Sequence, residues 1–142
     1  MHDLPGGFSP DGTRLVYLRH GTGEVRIIHA DGTGDMSLGV TGARGVDWMP
    51  DGRSIVAGVD GKRCSWTTGT IARRIEAPNG NALEAHPSPD GHRLVFAFDL
   101  NDPNACCMSI ATIGVDGSGL REIVPIVPGV EQSAPDWRAT PG

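Results

Sequence analysis

Phe8-Ser9-Pro10-Asp11-Gly12 returns as Trp48-Met49-Pro50-Asp51-Gly52 and again as Pro87-Ser88-Pro89-Asp90-Gly91. The Asp-Gly steps are 40 and 39 residues apart. Each copy is followed by one or two polar residues and then an apolar run. These runs are Leu15-Val16-Tyr17-Leu18, Ile55-Val56-Ala57-Gly58-Val59 and Leu94-Val95-Phe96-Ala97-Phe98. A fourth copy starts at Ala134-Pro135-Asp136-Trp137, which echoes Gly45-Val46-Asp47-Trp48. The chemistry explains the recurrence. Proline presets φ for the first corner of a tight turn, aspartate accepts from nearby backbone N–H groups, and glycine takes the positive φ that follows.

A second turn recurs as well. Ala30-Asp31-Gly32-Thr33-Gly34 matches Val115-Asp116-Gly117-Ser118-Gly119, and Asp60-Gly61 and Asn79-Gly80 are further turn signals. Turns at this density divide each repeat into four short strands. In the middle repeat they are expected at 45–48, 54–59, 62–67 and 71–76. In the first, 14–19, 24–29 and 37–40 follow the Phe8 segment. In the third, 93–98, 108–113 and 122–126 follow Pro87, with a polar insertion at 99–104. A repeat of about 40 residues carrying four strands fits a β-propeller blade, a small sheet that buries its faces only against its neighbours. The fold is therefore expected to be all-β and a partial or open propeller. One domain, 1–142, holds blades at about 4–44, 45–84 and 85–132 and the start of a fourth at 133–142. Phe8, Trp48 and Trp137 fall in one repeat slot and are expected in the blade core.

Composition agrees with a turn-rich chain: 21 Gly and 11 Pro in 142 residues, with a net charge of -5. An acidic balance, with no basic cluster beyond Arg73-Arg74, argues against a nucleic-acid surface. No apolar run is long enough for a membrane span. The first seven residues lack the basic and apolar regions of a signal peptide. The sequence as given thus reads as cytoplasmic, or as periplasmic if it belongs to an exported parent. Cys64 stands alone and Cys106 and Cys107 are adjacent, which builds neither a disulfide framework nor a zinc site.

The candidate chemistry is sparse. Asp31, Asp35 and Asp116 lie in Gly-rich turns but lack the ligand spacing of a calcium loop. Ser88, Asp90 and His92 contain the residue types of a hydrolase triad within one tight turn, where they cannot reach the geometry of nucleophile, base and orienting acid. No phosphate-binding glycine loop is followed by a helical pattern. No catalytic residue, metal ligand or cofactor is expected. Trp66 and Arg63, on a polar strand, and His86, near an inner strand, are the candidates for an interaction surface. Pro10, Asp11, Gly12, Pro50, Asp51, Gly52, Pro89, Asp90 and Gly91 are read as structural turns.

These segments resemble the Trp-Ser-Pro-Asp-Gly signature of TolB-type, WD-repeat-like propellers. Asp31-Gly-Thr-Gly, Asp116-Gly-Ser-Gly and Pro135-Asp136-Trp137 resemble the other parts of that repeat. Phe8 and Pro87 stand where the family favours Trp, and Met49 where it favours Ser. The resemblance implies a non-catalytic protein-interaction scaffold of the bacterial envelope. Its alternatives are the gating propeller of a prolyl-oligopeptidase-like or tricorn-like peptidase, or a truncated propeller without activity of its own. Three blades do not close a ring, so the chain is expected to be a fragment or an open arc of a longer six-bladed protein, or to form a homodimer completing a six-bladed ring, with the Trp137 strand of each copy completing the first blade of the other.

Overall fold

In a computed structural model the described residues are 2–59, 63–68, 71–76, 81–99, 108–127 and 135–137. They form twelve strands and no helix. The first sheet contains β1 (Leu4–Phe8), β2 (Arg14–Arg19), β3 (Glu24–His29) and β4 (Met36–Ser37). The second contains β5 (Ala43–Trp48), β6 (Ser54–Val59), β7 (Arg63–Thr68) and β8 (Ile71–Glu76). The third contains β9 (Asn81–Pro87), β10 (Arg93–Asp99), β11 (Ser109–Gly114) and β12 (Arg121–Val124). Within every sheet the spatial order is the chain order and each pairing is antiparallel. The turns Asp60-Gly61 and Asn79-Gly80, most of the insertion at 99–104, the pair Cys106-Cys107 and residues 133–134 lie outside the described residues.

The three Pro-Asp-Gly corners are built alike. Ser9 N–H donates to the Arg14 carbonyl at 2.8 Å, Met49 N–H to that of Ser54 at 2.8 Å, and Ser88 N–H to that of Arg93 at 2.8 Å. In each, the glycine N–H closes the turn onto the residue three before it, at 2.7, 3.0 and 2.8 Å. Gly12, Gly52 and Gly91 take φ of 71°, 64° and 73°, where a side chain would be strained. Asp11 and Asp90 each accept a serine hydroxyl, Ser9 at 2.6 Å and Ser88 at 2.5 Å. The middle copy lacks that serine, and the hydroxyl arrives from the other side. Ser54 Oγ donates to Asp51 Oδ2 at 2.6 Å. Met49 is thereby released to pack with Leu94 and Phe96 in the core.

These bonds have a cost at low pH. The Ser9 hydroxyl, the Thr13 N–H and the Thr13 hydroxyl hold the Asp11 carboxyl at about 2. The Ser88 hydroxyl and the His92 N–H likewise lower Asp90. A carboxyl depressed on folding adds stability above its unfolded value, and that stability is lost as pH falls through the folded value. Urea midpoints are therefore expected to hold at neutral pH and to fall steadily between about pH 4 and pH 2. Asp11→Asn should flatten part of that slope.

The sheets face one another in sequence order through two cores. Val16, Leu18, Val25 and Ile27 of the first sheet meet Val46, Trp48, Ile55 and Ala57 of the second. Met49 and Val56 of the second meet Ala85, Leu94, Phe96, Phe98, Ala111 and Ile113 of the third. Alternate residues of β2 point into the first core, so Val16 and Leu18 are buried while Leu15 and Tyr17 are only half-buried. Side chains buried in this way contribute roughly 1.5–3 kcal/mol each. The junctions also stack corner on corner. The position a Cβ would take on Gly52 is 3.7 Å from Pro10 Cδ, and that on Gly91 is 3.7 Å from Pro50 Cδ. Arg14 reaches across the first junction, its guanidinium 4.6 Å from the centre of the Trp48 ring and its Nη2 donating to the Gly52 carbonyl at 2.9 Å.

Two expectations need correction. Phe8 is expected in the blade core, in the slot that Trp48 fills in the second sheet, yet it is 61% exposed, with no further sheet among the described residues packed over it. The fourth strand of the first sheet was expected at 37–40, but β4 is Met36–Ser37. Gly39 takes φ of 71° and breaks the run, although the Leu38 N–H and the Val40 carbonyl still bond to Val25.

Candidate interaction site at the inner strands

The first strands of the three sheets, β1, β5 and β9, run together on one side of the molecule. Two glycines permit their closeness. A Cβ on Gly7 would stand 2.3 Å from Asp47 Oδ1, and one on Gly45 would stand 2.6 Å from the Glu84 Cα. Each of these strands is also irregular. Register shifts fall between Pro5 and Phe8, between Ala43 and Gly45, and opposite Val95 to Ala97. Glu84, in the third of these, takes φ of 50°, a rare conformation for a residue with a side chain. Bulges re-aim side chains next to functional surfaces.

Here they frame a cleft of about 410 Å³. Its walls come from Leu4 and Pro5 on β1, Arg44 and Asp47 on β5, Glu84 and His86 on β9, and Asp136. Asp47, His86 and Asp136 all sit one residue before the Trp48 slot, so the repeat itself brings them to one place. Asp47 Oδ1 accepts the N–H of Trp48 at 2.8 Å, and Asp136 Oδ1 accepts that of Trp137 at 2.7 Å, the same local turn in both copies. The other carboxylate oxygen of Asp47 meets His86 Nδ1 at 2.9 Å. Trp137 Nε1 donates to the His86 carbonyl at 3.1 Å, tying residues 135–137 to β9.

The bond to Asp47 raises the His86 pKa, with further support from the charges of Asp47, Asp136 and Glu84, while burial opposes the shift. A pKa raised on folding adds stability below the unfolded value of about 6.5, and that stability disappears as pH climbs through the folded value. The cleft thus carries an imidazolium among three carboxylates in mild acid and loses that positive charge above it. A proton NMR titration of His86 should return an apparent pKa above 6.5 in the wild type and a lower one in Asp47→Asn.

The other candidates separate. Trp66 and Arg63 are on β7, where Trp66 pairs in register with Val56 and Arg73. Their side chains lie outside the described residues. Ser88 Oγ donates to Asp90, not to His92, so those three residues make a turn. Asp31 and Asp116 each accept an N–H and a hydroxyl from the residue two ahead. Asp35 accepts from Tyr17 and Arg26. The Asp47–His86 contact escaped sequence reading because its partners are 39 residues apart. The signal that could have found it is their common repeat column.

No known family profile matches the chain, and no curated protein is similar to it in sequence. Solved structures are similar. A TolB-type protein from Agrobacterium tumefaciens superposes with a TM-score of 0.77 over 96% of this chain and 55% of its own, at 23% identity. A chain of the nidogen/laminin complex gives 0.65 over 81% of this chain and 45% of its own, at 17% identity. The fold is a TolB-like β-propeller, here as three blades. The chain spans about half the length of the solved proteins it matches. In TolB-like terms the three sheets are successive blades, β1, β5 and β9 are their innermost strands, and the cleft lies where those strands converge.

Proposed function

We propose that the chain is a non-catalytic scaffold that holds a protein partner at the inner-strand cleft. The observation that carries this reading is the convergence of Asp47, His86 and Asp136 from successive repeats on one cleft, beside Arg44 and Glu84. Those polar groups are already engaged with the chain itself: Asp47 with His86, and Asp136 with its own following N–H. Groups fixed in this way make a rigid charged surface, and rigidity lowers the entropy cost of holding a partner. The serine, aspartate and histidine of the third corner bond as a turn and not as a nucleophile–base pair. The likeness to a TolB-type propeller, and to a chain from a complex with laminin, supports binding over catalysis.

Photocrosslinking in cells tests the reading. A photoreactive residue at position 44, on the cleft, should give an adduct with another protein, while the same residue at position 90, on a corner, should not. Absence of a protein adduct at 44, or equal adducts at both positions, would count against it.

A further inference from the structure

We infer that the inner-strand cleft takes an arginine or lysine side chain of its protein partner, and that the protonated ring of His86 competes with that side chain for the same carboxylates. The inference rests on the cleft being the partner site; it names what the site selects and what regulates it. It starts from the repeat. Asp47, His86 and Asp136 fill one column, and each aspartate spends one oxygen on the N–H of the tryptophan that follows, at 2.8 Å and 2.7 Å. That bond fixes each carboxylate and leaves its second oxygen over. Asp47 gives its second oxygen to His86 Nδ1 at 2.9 Å. Among the described residues, the second oxygen of Asp136 accepts no hydrogen bond. The irregular β9 adds a third carboxylate to the same wall. Ala85 is fully buried in the core, and Glu84 and His86 on either side of it line the cleft.

The charges then decide what the cleft holds. β1 brings Leu4, Pro5 and two glycines to it, and no charged group. Arg44 on β5 is the one permanent cation among the lining residues. With the His86 ring neutral, three carboxylates face Arg44 alone; with the ring charged, they face two cations. A surplus of carboxylates in a cleft draws a cation and repels an anion. The ring is therefore an internal counterion, and histidine is the side chain that ordinarily changes charge between about pH 5 and pH 8. Its bond to Asp47, and the charges of Asp47, Asp136 and Glu84, move that change upward against the effect of burial. Loss of the proton does not undo the frame. A neutral ring with its hydrogen on Nδ1 still donates to Asp47, so the bridge from β5 to β9 stays and only the charge leaves. A guanidinium or ammonium entering the cleft then meets Asp136 and Glu84 without a rival. Two cations in one cleft repel, so the proton and the partner's side chain weaken each other's binding, each by the same factor.

The probe is a capped tetra-arginine peptide, which keeps its charge at every pH used. Calorimetric titration into the full chain should show it binding about tenfold tighter at about pH 8.5 than at about pH 5.5. At about pH 7 binding should release protons, read as a heat that varies with the ionisation enthalpy of the buffer. The Cε1–H resonance of His86 should titrate at a lower pH when the peptide is saturating than when it is absent. These readings use the wild type and need no variant to fold. His86→Gln, whose side-chain amide still donates to Asp47, should bind with the high-pH affinity at both pH values. A capped tetra-glutamate peptide should show no gain at high pH. Equal affinity at the two pH values, no binding at either, binding without proton release, or a His86 titration unmoved by the peptide overturns the inference. So does tetra-glutamate binding as tightly as tetra-arginine. The photocrosslink at position 44 is read separately. An adduct there beside any of these results sinks this inference and leaves the scaffold reading standing; absence of the adduct sinks the scaffold reading, and this inference with it.

Discussion

Phe96→Ala is expected to lower the free energy of unfolding by about 3–5 kcal/mol, a large part of the roughly 5–15 kcal/mol that a domain has to spare. Phe96 is fully buried at the centre of the second junction. It meets Phe98 edge to face, with ring centres 5.9 Å apart, in a core shared with Met49, Val56, Leu94 and Ile113. The core draws on two sheets, so removing the ring takes contacts from both, and neither can collapse into the space without moving the other. Urea unfolding followed by far-UV circular dichroism measures the loss. A midpoint shift worth less than about 1 kcal/mol would show that the second and third blades do not share this core.

Trp48→Ala should cost a similar amount, about 3–5 kcal/mol, at the other junction. The indole is 5% exposed and lies under the Arg14 guanidinium among Val16, Leu18 and Ile55. Its Nε1 is buried with no hydrogen-bond partner among the described residues. Trp48→Phe therefore gives up ring volume but no hydrogen bond, and should cost no more than about 1.5 kcal/mol. The contrast between the two variants, read from the same urea series, separates burial of an aromatic from any polar role of the indole. Equal losses in both would contradict the burial account.

Much of the fold was legible because a hairpin corner leaves a strong local mark. Proline, aspartate and glycine in succession fix a turn by their own dihedral limits, and three such turns at one spacing fix the repeat. The bounds of β2 and β6 follow directly from those corners and the apolar runs behind them. What failed to show was what depends on neighbours. Phe8 and Trp48 are the same letter of the repeat, and only the presence of a preceding blade decides which is buried. Gly39 sits in a run that reads as a strand, and its positive φ ends β4 early. The candidate site was least visible. His86 stood out beside its proline, but its Asp47 partner comes from the previous repeat, and neither residue alone marks a cleft. Met49 looked like a plain departure from the corner pattern. Its reason, a hydroxyl relocated to Ser54 and a side chain given to the core, appears only when the two strands are seen paired.

The stacking of like blades, corner upon corner, is tested most directly by a NOESY spectrum of the labelled chain. Cross-peaks are expected from Pro10 Hδ to Gly52 Hα and from Pro50 Hδ to Gly91 Hα, together with contacts from the Trp48 ring to the Val16 and Leu18 methyls. If the three corners show no contact with one another and the Trp48 ring meets none of those methyls, the blades are not stacked as described.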